Sequence, residues 1–320
     1  MNSQNFAVGV DIGGTKIASI LVDQNGQILN SDYRMTGVDQ GPEESITRVV
    51  ESIASVLKGT PKVSGIGIDV PGLVFPELGI VENAVNLNWD RVNLVQIIRE
   101  RLHSSLPIFL QRDTFAQTLG EHYYGSAVGV KDYVYLGIGS GLGAGALVNG
   151  ELLIGSNHGA LEVGHLALTG LTNMCGCGRV GCAETLLSGP GLLKIYLTPD
   201  WRPDVEGHIF NGEEPSAERV ILLARENDPR ALLLINEFGR YLGELMAGLV
   251  MTLNPSSIVL GGGVGISAFD LYLERAVQEL DQRCLSQNIR SLSIKKSSLD
   301  SSALGAASLV WYSIKENQKG

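Results

Sequence analysis

The segment MCGCGRVGCAE, residues 174 to 184, gathers Cys175, Cys177 and Cys182, three of the four cysteines in a chain of 320 residues. Such clustering serves a disulfide, a redox pair or a metal site. Four cysteines are too few for a disulfide framework, and a reducing compartment keeps thiols free, so metal is favoured. A Cys3His zinc site needs three thiolates and an imidazole at about 2.0 to 2.3 Å from the ion, and turns rich in glycine let nearby cysteines converge on it. His165, in LEVGHLAL, is the nearest upstream histidine and the expected fourth ligand, with His158 the next. The expected set is His165, Cys175, Cys177 and Cys182 around a structural Zn2+ with no open position for catalysis. The remaining thiol, Cys284, reads as an ordinary half-buried cysteine.

Three glycine-rich turns offer a second chemistry: DIGGTK from residue 11, GIGSGLG from 137 and LGGGVG from 260. Glycine lets a backbone approach a bulky anion, and its N–H groups at a turn bind phosphate oxygens. Together the turns could line a nucleotide site, through Asp11, Gly13, Gly14, Thr15 and Lys16 in the first, Gly139, Ser140 and Gly141 in the second, and Gly262 and Gly263 in the third. Asp11 would face Mg2+ through water, with Thr15 and Lys16 toward the phosphates of ATP. Neither GxGxxG ahead of an acidic residue nor GxxxxGK[ST] occurs, which disfavours a dinucleotide or P-loop site. A phosphoryl acceptor also needs a base, and a sugar acceptor needs carboxylate or imidazole partners for its hydroxyls. Glu162, His165 and Glu184 cluster in sequence around the cysteines, so the metal would pin the loop that carries them.

The elements that must position these groups alternate between strand and helix, the signature of an α/β chain. FAVGVDIGGTKIASILVD and YVYLGIGSGLGAGALVNGELL each read as strand, glycine turn and strand, which suggests two lobes related by duplication. GPEESITRVVESIASVLKG places Ile46, Val49, Val50, Ile53, Val56 and Leu57 on one helical face, with Pro42 suited to the first turn. LPIFLQRDT reads as a strand that delivers Asp113 at its carboxyl end, where open α/β sheets place chemistry. A long helix is expected from Ala231 to Leu253, stopped by Asn254-Pro255, and an exposed excursion over residues 196 to 216. The expected lobes are residues 1 to 115, completed by a last helix at 303 to 317, and residues 116 to 302.

A hydrophobic fraction of 44% supports sizeable cores, and a formal net charge of -10 with no basic aromatic-interleaved stretch argues against a nucleic-acid partner. No secretory leader and no apolar run of membrane-spanning length is present, so a cytoplasmic location is expected.

GVDIGGTKI, DVPGLV, NLNW, GIGSGLGAGALVNGEL, GALEVGH, CGCGRVGCAE, NPSSIVLGGGV and ALGAASL run through nearly the whole chain, and in this combination it resembles the ROK (repressor, open reading frame, kinase) family of sugar kinases and regulators. The resemblance implies a two-lobed actin-like ATPase (ribonuclease H-like) fold with a nucleotide and sugar cleft between the lobes, a glucokinase-like activity on a hexose, and a homodimer. It gives Asp113 the role of catalytic base, and it makes Gly72, Glu162, His165 and Glu184 sugar contacts. One stretch departs from the pattern. Family kinases usually carry ENDxN, whereas this chain reads QRDTF, so Arg112 replaces a sugar-binding Asn and Phe115 replaces a second one. Arginine accepts no hydrogen bond, and a cation beside Asp113 would weaken it as a base unless Arg112 turns away to pair with Glu121 or another acid. The alternative function is a catalytically weak sugar sensor, without a DNA-binding domain because the first phosphate turn begins by residue 11. A bare zinc-binding module would explain the cysteines alone.

Overall fold

The computed structural model describes residues 5–60, 62–198, 201, 204–205 and 214–317. Two compact units make up the chain, one built from Met1–Gly129, Ile154–Ala160 and Ser298–Gly320, the other from Val130–Leu153 and Leu161–Ser297.

In the first unit, β1 (Phe6–Ile12) and β2 (Lys16–Asp23) form the expected hairpin, and β3 (Ile28–Met35) continues it at the edge. Helix α1 (Pro42–Leu57) buries Ile46, Val49, Ile53 and Val56, with Pro42 in its first turn, where the missing N–H costs no helical hydrogen bond. The chain re-enters the sheet as β4 (Val63–Val70). It then forms a small antiparallel sheet of β5 (Leu73–Phe75), β6 (Ile80–Ala84) and β7 (Trp89–Val92). Helix α2 (Leu94–Leu102), strand β8 (Ile108–Arg112) and helix α3 (Asp113–Tyr123) follow. The main sheet has the order β3-β2-β1-β4-β8, with β1, β4 and β8 parallel. Its second face is covered by the C-terminal helix Ser302–Asn317, whose Ala303, Ala306 and Ala307 lie against the strands. The approach is close enough that a Cβ at Gly9 would stand 2.1 Å from the Ala303 carbonyl oxygen, and one at Gly67 1.9 Å from that of Ala306. Glycine at both strand positions is what lets helix and sheet meet.

The second unit repeats this plan. Strands β9 (Tyr133–Ile138) and β10 (Leu142–Val148) form the hairpin, β11 (Glu151–Leu152) extends it, and helices α4 (Gly189–Leu197), α5 (Ala217–Arg225) and α6 (Pro229–Leu253) follow the cysteine segment. Strand β12 (Ser257–Gly261), helices α7 (Gly263–Ser267), α8 (Phe269–Arg283) and α9 (Ser286–Ile289), and strand β13 (Ser293–Lys296) complete the unit. The chain then returns to the first unit as α10 (Ser302–Asn317). The sheet order β11-β10-β9-β12-β13 matches that of the first unit strand for strand: third, second, first, fourth, fifth. Helix α6 begins two residues earlier than expected, because the Asp228 carboxylate caps it by accepting the Ala231 N–H at 2.8 Å. It ends at Asn254, in the left-handed region with φ 49°. Of the expected excursion, residues 199–200, 202–203 and 206–213 lie outside the described residues.

The unit boundary expected at residue 115 falls instead at Gly129, and the return to the first unit is at Ser298. Helix α3 stays with the first unit because it packs on α10: a Cβ on Gly120 would lie 2.9 Å from the Gly305 Cα, and the Trp311 indole donates to the Tyr124 hydroxyl. The short segment Ile154–Ala160, expected in the second lobe, also belongs to the first.

Candidate active site

In the first unit, the Gly13 N–H donates to the Lys16 carbonyl at 2.9 Å and closes the turn between β1 and β2. The Thr36 hydroxyl holds the Gly13 carbonyl at 2.6 Å, and its N–H holds that of Thr15 at 2.9 Å. A Cβ on Gly14 would meet the Asn86 carbonyl oxygen at 2.9 Å, so this turn has no room for a larger residue. Thr15 and Lys16 are exposed and Asp11 is half-buried, its Oδ2 accepting from the Ser302 hydroxyl at the start of α10.

Strand β8 hands Asp113 to the first position of α3, where it is exposed and its Oδ1 accepts the Thr114 N–H at 2.7 Å. That bond stabilises the ionised carboxylate, the form a general base requires. Arg112, one residue earlier, is 7% exposed. Its Nη2 donates to the Ala160 carbonyl at 3.2 Å, and its guanidinium carbon lies 4.3 Å from the centre of the fully buried Phe115 ring. Glu121, considered as a partner for Arg112, is buried and accepts the Ser126 N–H at 2.7 Å. Gly72, expected among the sugar contacts, turns the chain after β4 with φ 103°, and a Cβ there would meet Ala84 Cα at 2.9 Å.

Asp69 is a member of this site that the sequence reading passed over as part of a buried strand. Its register partners are Asp11 on β1 and Gln111 on β8. Burial, first, and then the charges of Asp11 and Asp113 hold its carboxyl well above the usual carboxylate range. The available signal was a single acid inside the otherwise apolar VSGIGIDV.

In the second unit, Gly139, Ser140 and Gly141 form the turn between β9 and β10, closed by the Gly139 N–H donating to the Gly141 carbonyl at 2.9 Å. Glu184 is half-buried and tied to this turn, its Oε2 accepting the Leu142 N–H at 2.8 Å. Ser188 caps α4 by accepting the Gly191 N–H at 3.1 Å, and its hydroxyl donates to the Glu184 carbonyl at 2.8 Å. Ser140, Asn173, Cys175, Glu184, Ser188 and Lys194 are among the residues lining a cavity of about 170 Å³ here. Gly262 has φ 77°, and a Cβ on it would lie 2.4 Å from the Ile138 carbonyl oxygen; Gly263 opens α7 beside it. Glu162 and His165 are exposed at the two ends of a short 3-10 turn, linked by the His165 N–H donating to the Glu162 carbonyl at 3.1 Å.

His165, Cys175, Cys177 and Cys182 bring one ligand atom each to within 4.8 Å of all the others. Cys175 Sγ stands 3.8 Å from His165 Nδ1, and the sulfurs of Cys177 and Cys182 are 3.6 Å apart. A tetrahedron with ligands at about 2.0 to 2.3 Å has edges of this length. All four cysteines are free thiols. Backbone hydrogen bonding near Arg179 lowers the Cys177 thiol to about 7, while burial and the neighbouring thiols push Cys182 up to about 12. A bound cation is what would hold all three sulfurs as thiolates, and the four residues fit a metal ion. His158 lies elsewhere, its Nε2 3.4 Å from Glu77 in the first unit.

The sequence matches the ROK family over residues 7–312, and the chain belongs to it. Its fold is the two-lobed actin-like ATPase fold of ROK sugar kinases. Both branches of the family are represented among its relatives. It is 30% identical over 312 residues to the xylose repressor of Caldicellulosiruptor bescii, covering 95% of this chain and 77% of that one, and 30% identical over 292 residues to the glucokinase of Halalkalibacterium halodurans, covering 88% and 87%. Among solved structures, it is similar to a ROK family transcriptional regulator homologous to the E. coli MLC protein, with a TM-score of 0.86, 26% identity, and coverage of 98% of this chain and 79% of that one. The ROK glucokinase of Streptomyces griseus in complex with glucose and AMPPNP aligns with a TM-score of 0.79 at 26% identity, covering 96% of this chain and 99% of that one. Among the described residues, no helix is long and apolar enough to cross a membrane.

Proposed function

We propose that the chain is an ATP-dependent sugar kinase that transfers the γ-phosphoryl group to a hydroxyl of a glucose-like hexose. The observation that carries this reading is Asp113, an exposed carboxylate at the carboxyl end of β8, to which the sequence resemblance gives the role of base. In the step proposed, a sugar hydroxyl gives its proton to Asp113 as its oxygen bonds to the γ-phosphorus, and the bond from that phosphorus to the β-bridging oxygen breaks to leave ADP. The turns at Gly13–Lys16, Gly139–Gly141 and Gly262–Gly263 would hold the phosphates through backbone N–H groups. Mg2+, when bound near Asp11, supplies charge compensation on the phosphate oxygens. Glu162, His165 and Glu184 would accept or donate to the sugar hydroxyls.

In this reading the metal at His165, Cys175, Cys177 and Cys182 is Zn2+ in a structural role. Four protein ligands leave it no open position, and its service is to fix the segment whose Asn173 and Cys175 line the cavity beside Glu184. A second reading, a sugar-responsive regulator with little or no turnover, is favoured by Arg112 and Phe115 standing where family kinases carry Asn, and by the similarity to repressors. A coupled assay of ADP release over a panel of hexoses, pentoses and amino sugars decides between them. Turnover on any member supports the kinase; saturable sugar binding with no ADP release supports the regulator.

A further inference from the structure

The metal segment has little apolar hold on its unit. From Thr169 to Val180 only Cys175 is buried, and of the other side chains Leu171 rests half-buried against the core. Backbone hydrogen bonds fold the segment back on itself instead. The Leu168 N–H donates to the Gly181 carbonyl and the Gly181 N–H to the Asn173 carbonyl, both at 3.0 Å, and the Cys175 N–H donates to the Arg179 carbonyl at 2.8 Å. These bonds set the four ligands beside one another, yet none of them ties the segment to a helix.

The tie comes at the bend between the first ligand, His165, and the second, Cys175. Leu168 to Leu171 form a turn, closed by the Leu171 N–H donating to the Leu168 carbonyl at 3.2 Å, with Gly170 at φ 86°. The Thr169 N–H takes no part in that closure and donates to Glu244 Oε1 on α6 at 2.9 Å. Among the described residues, this is the one hydrogen bond that leads from residues 167–181 to a helix. The other oxygen of Glu244 is ion-paired with Arg283 on α8 at 3.2 Å, and Arg283 in turn donates to Glu279 at 2.7 Å. A carboxylate held by a guanidinium is already oriented when the turn meets it.

We propose that Glu244 is the positioning residue of the metal segment: by accepting the Thr169 N–H it holds the turn on α6 and so presents His165 and Cys175 at the spacing an ion needs. It touches neither the metal nor a substrate. Its effect on the ligands rests on the metal reading of His165, Cys175, Cys177 and Cys182; its anchoring of the turn does not. Cys182 stands two residues ahead of Glu184, so the same anchor bears on the loop that carries the proposed sugar contact.

The test uses the full-length, zinc-loaded protein and two measurements: the rate of zinc release to a coloured chelator, and hydrogen exchange of the peptide over residues 166 to 173. Glu244→Ala removes the acceptor, and Glu244→Asp, which keeps the charge but falls a methylene short, repeats the measurement if the first variant does not fold. Both should release zinc at least about tenfold faster and exchange that peptide faster. Glu244→Gln keeps an oxygen for the Thr169 N–H and should stay near the wild type in both. Glu279→Gln weakens the same ion network without touching Thr169, so it should lower thermal stability and leave zinc release unchanged. Unchanged exchange or unchanged zinc release in Glu244→Ala and Glu244→Asp overturns the proposal, as does a Glu244→Gln protein as impaired as Glu244→Ala. Equal acceleration in Glu279→Gln also overturns it, since the effect would then be a general loss of stability. If the wild type binds no zinc while exchange still rises in Ala and Asp and is restored in Gln, the metal reading fails and the anchor stands.

Discussion

The guanidinium carbon of Arg112 lies 4.3 Å from the centroid of the Phe115 ring, so the two residues that depart from the kinase pattern of the family are in contact with each other. They form one buried unit, anchored at its far side by the bond from Arg112 to the Ala160 carbonyl. Replacing either alone should therefore cost stability. A cation over an aromatic face is worth about 0.5 to 2 kcal/mol, more when desolvated, and the double-mutant cycle of Arg112→Ala with Phe115→Leu should return coupling in that range. Urea unfolding of the four proteins measures it. Additive effects would mean that the contact carries no energy and that the two substitutions are independent.

Asp113→Asn should lower kcat by about 10² to 10⁴ while the KM for ATP moves little, because a base acts in the transition state rather than on bound nucleotide. The Asn side chain can still accept the Thr114 N–H, so the start of α3 should survive the change. Undiminished turnover would remove Asp113 as the base.

The metal segment predicts its own dependence. Wild-type protein should carry about one zinc per chain by elemental analysis, and Cys175→Ser should lose both the metal and thermal stability, since ligand binding energy is folding energy at such a site. Acid should release the ion, because protons compete with a metal for its ligands. Full stability without zinc would assign these cysteines some other role.

Stability on the acid side should depend on Glu279. Burial raises this carboxyl, but Arg283 and Arg275, which donate to it at 2.7 and 2.8 Å, more than offset that and hold it below its ordinary value. A depressed carboxylate contributes stability that is present above its unfolded value, near 4.5, and is lost as the pH falls through the lower folded value. Glu279→Gln should thus destabilise the protein at pH 7 by about 1 to 3 kcal/mol and flatten the fall in unfolding free energy below pH 5. An unchanged acid limb would show that the two arginines do not act through this residue.

The cysteine spacing, both glycine hairpins and the strand that ends at Asp113 were legible because each is a local pattern: a period, a turn residue or a ligand spacing read within about twenty residues. Asp69 was not. One acid in an apolar strand looks like a strand residue until the sheet sets it beside Asp11. The partnership of Arg112 with Phe115 was hidden for a related reason, since QRDTF shows both residues but not that the side chain of the first folds back over the second. The unit boundary was missed by about a helix because α3 follows the chemistry in sequence yet packs on α10, nearly two hundred residues later. Side-chain packing that exists only in the folded chain, not propensity, decided all three.

Glu184 offers a test that separates the sugar role of a residue from its structural one. Its Oε2 accepts the Leu142 N–H at 2.8 Å, and a Cβ on Gly141 would lie 2.7 Å from that same oxygen, so the carboxylate is pressed against the turn assigned to phosphate. Gln at this position keeps an oxygen to accept the N–H and loses only the charge, whereas Ala loses both. If Glu184 also holds a sugar hydroxyl, Glu184→Gln should raise the sugar KM about tenfold, near 1.4 kcal/mol, with the ATP KM nearly unchanged. Glu184→Ala should raise both, because the Gly139–Gly141 turn then loses its anchor. Isothermal titration with sugar alone and with a nonhydrolysable ATP analogue alone reads the two effects apart from turnover. Equal losses for both ligands in Glu184→Gln would confine Glu184 to supporting the turn, and unchanged sugar binding would remove it from the sugar site.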